Sequence, residues 1–326
     1  MKKFIAPLMA AAALISLGTA ASAQDDYPTQ PITMVVPFSA GGPTDTVTRL
    51  ITEPMGEALG QSFVIQNVTG AGGTVAATQV ANAPADGYTL LIHHIGMSTA
   101  PTLYPNLPYA PLEDFEMIGL VTEVPMTIIG RKDFPAEDLP GLIEHIKANP
   151  EEVTLANAGI GAASQLCGML FMDAIGTQVT TVPYQGTGPA LTDIVGGQVD
   201  IMCDQTTNTT GQILGGEVKA YAVTAEERLA SLPDLPTTAE AGLPDFQLRI
   251  WHGIYAPAGT PEPVIEKLST ALQAALADEN VIARFEELGT TVVAQDRATP
   301  EAHEEMLASQ IELWKPIIEE AGVSAE

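Results

Sequence analysis

The sequence predicts an α/β protein organised as two wings with facing edges, on three observations. Short β-branched runs alternate with helical patterns of ten or more residues, as parallel α/β architecture requires. In each half, three successive strands run into a loop of glycine and small polar residues at a helix start. The chain has 326 residues, 46% of them hydrophobic, which is more than one small core accommodates, so two domains are expected.

Residues 1–23 read as an export signal. Lys2 and Lys3 form a basic start, residues 4–18 an apolar run too short to span a membrane, and Ala21-Ser22-Ala23 a cleavage site. Cleavage after Ala23 and a periplasmic location are therefore expected. The mature chain begins with a strand over 32–36, followed by a helix with Val47, Leu50, Ile51, Met55 and Leu59 on one face and Gly60 as its stop. A strand over 63–68, a helix over 74–81 and a strand over 88–93 complete the first unit. After a less regular stretch, strands over 153–156, 179–182 and 199–203 alternate with helices over 164–175 and 190–195. A strand over 251–255 and long amphipathic helices over 263–277 and 300–320 close the chain. We place the chain crossings near residues 121–127 and 244–249. Lobe 1 then comprises 24–123 plus 248–326, and lobe 2 comprises 124–247.

The six loops are PFSAGGPTD (37–45), TGAGGT (69–74), GMSTA (96–100), NAGIGAAS (157–164), YQGTGPA (184–190) and DQTTNTT (204–210). Open α/β sheets bind ligands beyond the carboxyl ends of their strands, where such loops gather. Helix N-termini offer unpaired N–H groups and a positive dipole end, and glycine admits close approach to the backbone. No Lys or Arg falls inside the six loops, and Asp45 and Asp204 are their only carboxylates. Neutral donors of this kind can hold a small acid without a counter-charge. The bland reading of each loop is a capped βα turn, and either aspartate could cap a helix or hold a ligand amine.

Charge excludes other classes. Thirteen Lys+Arg against forty Asp+Glu give a net charge of −27, the opposite of what nucleic-acid binding needs. Gly159-Ile160-Gly161-Ala162-Ala163-Ser164 half-matches a dinucleotide fingerprint, but the next strand ends at Val182-Pro183-Tyr184 without an acidic residue for a ribose. Gly96-Met97-Ser98-Thr99-Ala100 imitates a nucleophile elbow and lacks its last glycine; a secreted hydrolase of a carboxylate or ester with Ser98 as nucleophile is the alternative reading. His93 and His94 point to opposite faces of a strand, and His145, His252 and His303 read as single residues, so no metal or cofactor is expected. Cys167 and Cys203 are candidates for a disulfide in an oxidising compartment, or for two buried thiols.

The export signal, YPTQPITMVVPFSAGGPTDTVTRL, TGAGGTVAA, ADGYTLLI, GTGPALTDIVGGQVDIM and YAPAGTPEPVIEKL together resemble the periplasmic substrate-binding receptors of tripartite tricarboxylate transporters, the Bug family. The resemblance spans essentially the whole mature chain. It implies a two-lobed type II periplasmic-binding-protein fold with the ligand cleft between the lobes. It further implies capture of a small organic carboxylate (a di- or tricarboxylate or an aromatic acid) and delivery to a membrane permease. Such a receptor is not an enzyme, is expected to be a monomer, and can also serve a sensor. Ligand-binding positions carried over are Phe38, Ser39, Ala40, Gly41, Gly42 and Asp45, then Ser98 and Thr99, then Ser164, Thr187, Gly188 and Asp204. Many relatives read G-x-G-S-x-S-H in the second wing. Here Ala162 lacks the hydroxyl and Gln165, kept as a candidate, replaces the imidazole; Gln retains a donor and cannot become cationic.

Overall fold

The structure, a computed structural model, describes residues 26–325. The expected export signal and its cleavage site after Ala23 lie outside the described residues.

The first unit is β1 (Ile32–Val36), α1 (Pro43–Leu59), β2 (Phe63–Asn67), α2 (Thr74–Ala81), β3 (Thr89–His94) and α3 (Gly96–Leu103). On α1, Val47, Ile51 and Met55 are buried, and Gly60 closes the helix in the left-handed conformation at φ 70°. Burying each of these side chains contributes about 1.5–3 kcal/mol. The second unit follows a long strand, β4 (Phe115–Arg131): α4 (Leu139–Ala148), β5 (Thr154–Asn157), α5 (Ala163–Ile175), β6 (Thr180–Pro183), α6 (Thr187–Val195), β7 (Ile201–Gln205), α7 (Thr206–Leu214) and β8 (Val218–Val223). The chain then returns through β9 (Arg249–Pro257), α8 (Glu262–Leu276), α9 (Glu279–Glu287), β10 (Thr291–Val292) and α10 (Pro300–Ala321).

Strand order is β2-β1-β3-β9-β4-β7-β5-β6, with β8 and β10 also paired to β4. Strand β1 is parallel to β2 and β3, and β5 is parallel to β6 and β7. Strand β4 belongs to both halves. Residues 115–125 pair antiparallel with β9, and residues 126–131 pair antiparallel with β7 and β8.

The sheet is therefore mixed rather than wholly parallel, because β9 comes back antiparallel to β3 as well as to β4. The stretch read as irregular holds α3, β4 and α4. Strand β4 is buried on both faces for most of its length, so it carries no alternation, and Pro125 interrupts the sequence pattern that would mark a strand. The segments GMSTA and DQTTNTT are not free loops: they wind into the first turns of α3 and α7.

Cys167 on α5 and Cys203 on β7 form a disulfide with a Cα separation of 5.9 Å, an ordinary span for such a bridge. It fastens α5 to β7 one residue before Asp204 and three residues after Ser164.

Candidate functional site

A narrow, tightly closed cavity lies where the strand tips of the two halves meet. Phe38, Pro43, Thr44 and His94 line it from the first half. Ala158, Ala162, Ala163, Ser164, Thr187, Asp204 and Gln205 line it from the second. Four helices begin at this cavity. Gly42 is the N-cap of α1, Ala162 of α5, Gly186 of α6 and Gln205 of α7, and none of the four is capped by a side chain. Their first N–H groups are left to other acceptors, and their dipoles add a positive potential. Among the described residues no Lys or Arg lines the cavity.

The two aspartates of the loops have opposite environments. Both oxygens of Asp45 are fully engaged: Oδ2 accepts from the Gly41 N–H at 2.9 Å and Arg49 Nε at 2.8 Å, and Oδ1 accepts from Asn67 at 3.0 Å and the Arg49 fork at 3.1 Å. Burial raises the Asp45 pKa, but the hydrogen bonds from Arg49, Gly41 and Asn67 outweigh it and hold the carboxyl below its usual range. A carboxylate has about four acceptor positions, so Asp45 shapes the first loop and has none left for a ligand amine. Arg49 stays outside, 54% exposed, with its guanidinium committed to Asp45.

Asp204, at the tip of β7, is 1% exposed. Its Oδ2 accepts from Asn208 Nδ2 at 2.6 Å, while Oδ1 is buried without a partner. Burial pushes its pKa up to about 6, against the opposing hydrogen bonds from Asn208, Gln205 and Thr187.

In the second half the Gly161 N–H donates to Gln165 Oε1 at 3.1 Å, four residues on, as Gly41 does to Asp45. Gln165 thus braces its loop from within. The Ala158 N–H donates to Ser164 Oγ at 2.9 Å, which leaves the Ser164 proton to donate elsewhere.

The positions singled out from the sequence separate into groups. Phe38, Ser164, Thr187 and Asp204 line the cavity. Ala40, Gly41 and Gly188 line an adjoining groove at its mouth. Ser39 and Gly42 stand at the seam, where Ser39 N–H donates to the Gln185 carbonyl at 3.1 Å. Ser98 and Thr99 do not line the cavity: both are fully buried, and their hydroxyls donate along their own helix to the carbonyls of Ile95 and Gly96. Ser98 is therefore not poised as a nucleophile.

The histidines need a correction. His94 and His252 are register partners on β3 and β9, and their rings stand 5.8 Å apart. His93 meets His94 edge-on at 4.9 Å, and the Phe38 ring stacks on His94 at 4.9 Å. His252 is thus not a lone residue; a sequence cannot show which strand returns beside which. Burial lowers the pKa of His93 to about 4 and of His252 to about 3, and that of His94 well below its usual value. All three are neutral at pH 7, so this wall adds no cation. Among the described residues no group of three His, Cys, Asp or Glu side chains is arranged to hold a metal.

Cavity residues not singled out are Pro43, Thr44, His94, Ala158, Ala162, Ala163 and Gln205. Six of them lie in or beside the loops already recognised, so only the choice within each loop escaped. His94 carried the weaker signal of ending a strand.

Residues 47–323 match the sequence profile of the tripartite tricarboxylate transporter family receptor. Among solved structures, the periplasmic binding protein BugD is 52% identical, superposes with a TM-score of 0.90, and is matched over 92% of this chain and 100% of its own. MatC (Rpa3494) from Rhodopseudomonas palustris, solved with bound malate, is 42% identical with a TM-score of 0.87 over 90% of this chain and 100% of its own. Rpa4515 of R. palustris, solved with adipate, is 33% identical with a TM-score of 0.86 over 91% of this chain and 99% of its own. The architecture is the two-lobed periplasmic-binding-protein fold that these structures share.

Proposed function

Because the chain belongs to the tripartite tricarboxylate transporter receptor family of periplasmic solute-binding proteins and is not an enzyme, we propose that it captures a small organic carboxylate and delivers it to the membrane permease of a tripartite tricarboxylate transporter. The observation that carries this reading is the convergence of four uncapped helix N-termini on one cavity that no Lys or Arg lines. Backbone N–H groups and helix dipoles there favour an anion held without a fixed cation. Such a grip is made when the lobes close and lost when they part, which suits a carrier that must release its cargo. The malate and adipate held by the two R. palustris proteins support an aliphatic acid.

In this reading the protein is exported with removal of residues 1–23 and works as a monomer. Lobe 1 comprises 24–123 with 248–326, and lobe 2 comprises 124–247. Phe38, Ser164, Thr187 and Asp204 contact the ligand, and Ser39, Ala40, Gly41, Gly42 and Gly188 form the rim that closes on it. Asp45 and Gln165 hold the two loops in shape, and Ser98 and Thr99 support the α3 turn behind them.

A thermal-shift screen of aliphatic dicarboxylates, tricarboxylates and aromatic acids tests the proposal. A ligand at a hundred times its Kd stabilises the folded state by about 2.7 kcal/mol, readily seen as a raised Tm, and the compound is recovered unchanged. If sugars or cations raise the Tm and no carboxylate does, the reading is wrong.

A further inference from the structure

Building on the carboxylate reading above, we infer that the acid bound here carries a hydrogen-bond donor, an ammonium or a hydroxyl group, and that Asp204 is the residue that selects for it. Asp204 ends β7 in register with Thr127, whose hydroxyl donates to the Asp204 carbonyl at 3.1 Å. The disulfide at Cys203 fixes the preceding residue. Asn208 Nδ2 donates to Oδ2 at 2.6 Å and also lies 3.5 Å from Thr187 Oγ1, and the Gln205 N–H and the Thr187 side chain add hydrogen bonds to the carboxylate. Oδ1 remains unpartnered and buried on a residue that lines the cavity.

Helix capping does not account for this carboxylate. The N-cap of α7 is Gln205, and no side chain caps that helix. Among the described residues no Lys or Arg forms an ion pair with Asp204 or lines the cavity. Asp45 shows the contrast, with both oxygens engaged by four donors of the protein itself. A buried acceptor without a donor is costly, and more so when it is charged. Gln205, the next residue, adds a second unpartnered buried oxygen, Oε1, on the same wall. Two acceptors in one small cavity call for a donor from the ligand. A plain dicarboxylate meeting this wall sets carboxylate against carboxylate, whereas an ammonium or hydroxyl beside the acid group completes the hydrogen bonds. The helix N-termini would hold the carboxylate, and Asp204 would read its neighbour.

Succinate, malate and aspartate share a four-carbon dicarboxylate frame and differ in a hydrogen, a hydroxyl or an ammonium at one carbon. Isothermal titration of each at pH 7.5, against the wild-type protein and Asp204→Asn, decides the matter. We expect malate or aspartate to bind the wild type at least about 10-fold more tightly than succinate, in keeping with a hydrogen bond to a charged group. In Asp204→Asn that ratio falls to within about 2-fold. Succinate binding as tightly as the other two in the wild type, or a preference that survives in a folded Asp204→Asn, overturns this inference and leaves the carboxylate reading intact. Failure of all three acids to bind overturns this inference, whereas the carboxylate reading stands or falls with the wider thermal-shift screen. Should Asp204→Asn not fold, the same titrations with Asp204→Ser decide, with the same loss of preference expected and a surviving preference overturning the inference.

Discussion

The backbone N–H of Ser39 donates to the carbonyl of Gln185 at 3.1 Å, so the loop after β1 is hydrogen-bonded to the loop after β6. The next residue, Gly186, leaves no room for a side chain: a Cβ there would lie 2.2 Å from Ser39 Oγ. On the other flank the Tyr104 hydroxyl donates to the Ile160 carbonyl at 2.8 Å, and a Cβ on Gly72 would lie 1.8 Å from that same oxygen. Phe38 completes the seam by packing on Ala158 and Ala162. Backbone from the two halves thus meets on both sides of the cavity, and its lining is almost wholly shielded from solvent. The loops must part for any acid to enter.

Closure is consequently sensitive to one methyl group. Gly186→Ala is expected to lower ligand affinity at least about 10-fold by destabilising the closed state relative to the open one. Tyr104→Phe, which removes one net hydrogen bond of about 1 kcal/mol, is expected to lower it about 5-fold. Titration gives the affinities, and small-angle scattering should show ligand-induced compaction in the wild type but not in Gly186→Ala. Wild-type affinity and compaction in that variant would remove the closure argument.

Asp45 and Arg49 form an ion pair whose two members are worth different amounts. Arg49→Ala removes a half-exposed partner and is expected to cost no more than about 1 kcal/mol. Asp45→Ala strands the Gly41 N–H and Asn67 in a buried loop and is expected to cost about 1–3 kcal/mol and to weaken binding. Urea denaturation of both variants separates them, and equal losses would contradict the loop-shaping role.

Acid should destabilise the fold through its buried histidines. Burial holds His93 near 4 and His252 and His303 near 3 in the folded protein, against about 6.5 when unfolded. Between those values the unfolded chain binds more protons, so stability present at neutral pH is lost as the pH falls from about 6.5 towards 4. Asp204 acts in the opposite direction. Burial raises it to about 6, so the folded state takes up its proton first and gains relative stability as the pH falls through 6. The histidines outnumber it, and Tm should fall on acidification from pH 7.5 to 4.5. Asp204→Asn should fall more steeply, having lost the opposing group. Circular-dichroism melts across this range measure both slopes, and a wild-type Tm that rises on acidification would falsify the assignment.

The disulfide closes a segment of 36 residues, for which loop-closure entropy predicts about 3–4 kcal/mol of stabilisation. Cys167→Ser with Cys203→Ser should shift the denaturation midpoint by that order. Because the bridge adjoins Asp204 and α5, ligand affinity should fall as well. A double variant as stable and as tight as the wild type would show that the bridge is incidental.

Much of the fold was legible because its signals are local. The helical face of Val47, Ile51 and Met55 with its stop at Gly60, and the span 74–81, correspond closely to α1 and α2. Strand β4 was not legible, since a strand buried on both faces and interrupted by Pro125 has no alternation to detect. Within the site, the loops were recognisable from glycine and small polar residues following strands. Ser98 stands off the cavity lining because GMSTA continues into α3 and turns its hydroxyl back onto Ile95, which the loop-like composition of the segment does not reveal.

The sequence by itself determined the α/β class, the glycine-rich strand tips and the scarcity of cations among them, for these follow from periodicity, backbone sterics and composition within a few residues. Only the tertiary structure decided that Asp45 is saturated and Asp204 is open, or that His252 stands beside His94. Those outcomes depend on partners brought from far along the chain, as when Thr44 and His252 meet across 208 residues at 3.3 Å. Burial and hydrogen-bond satisfaction belong to the assembled surroundings, so identical side chains acquire different chemistry according to what packs against them.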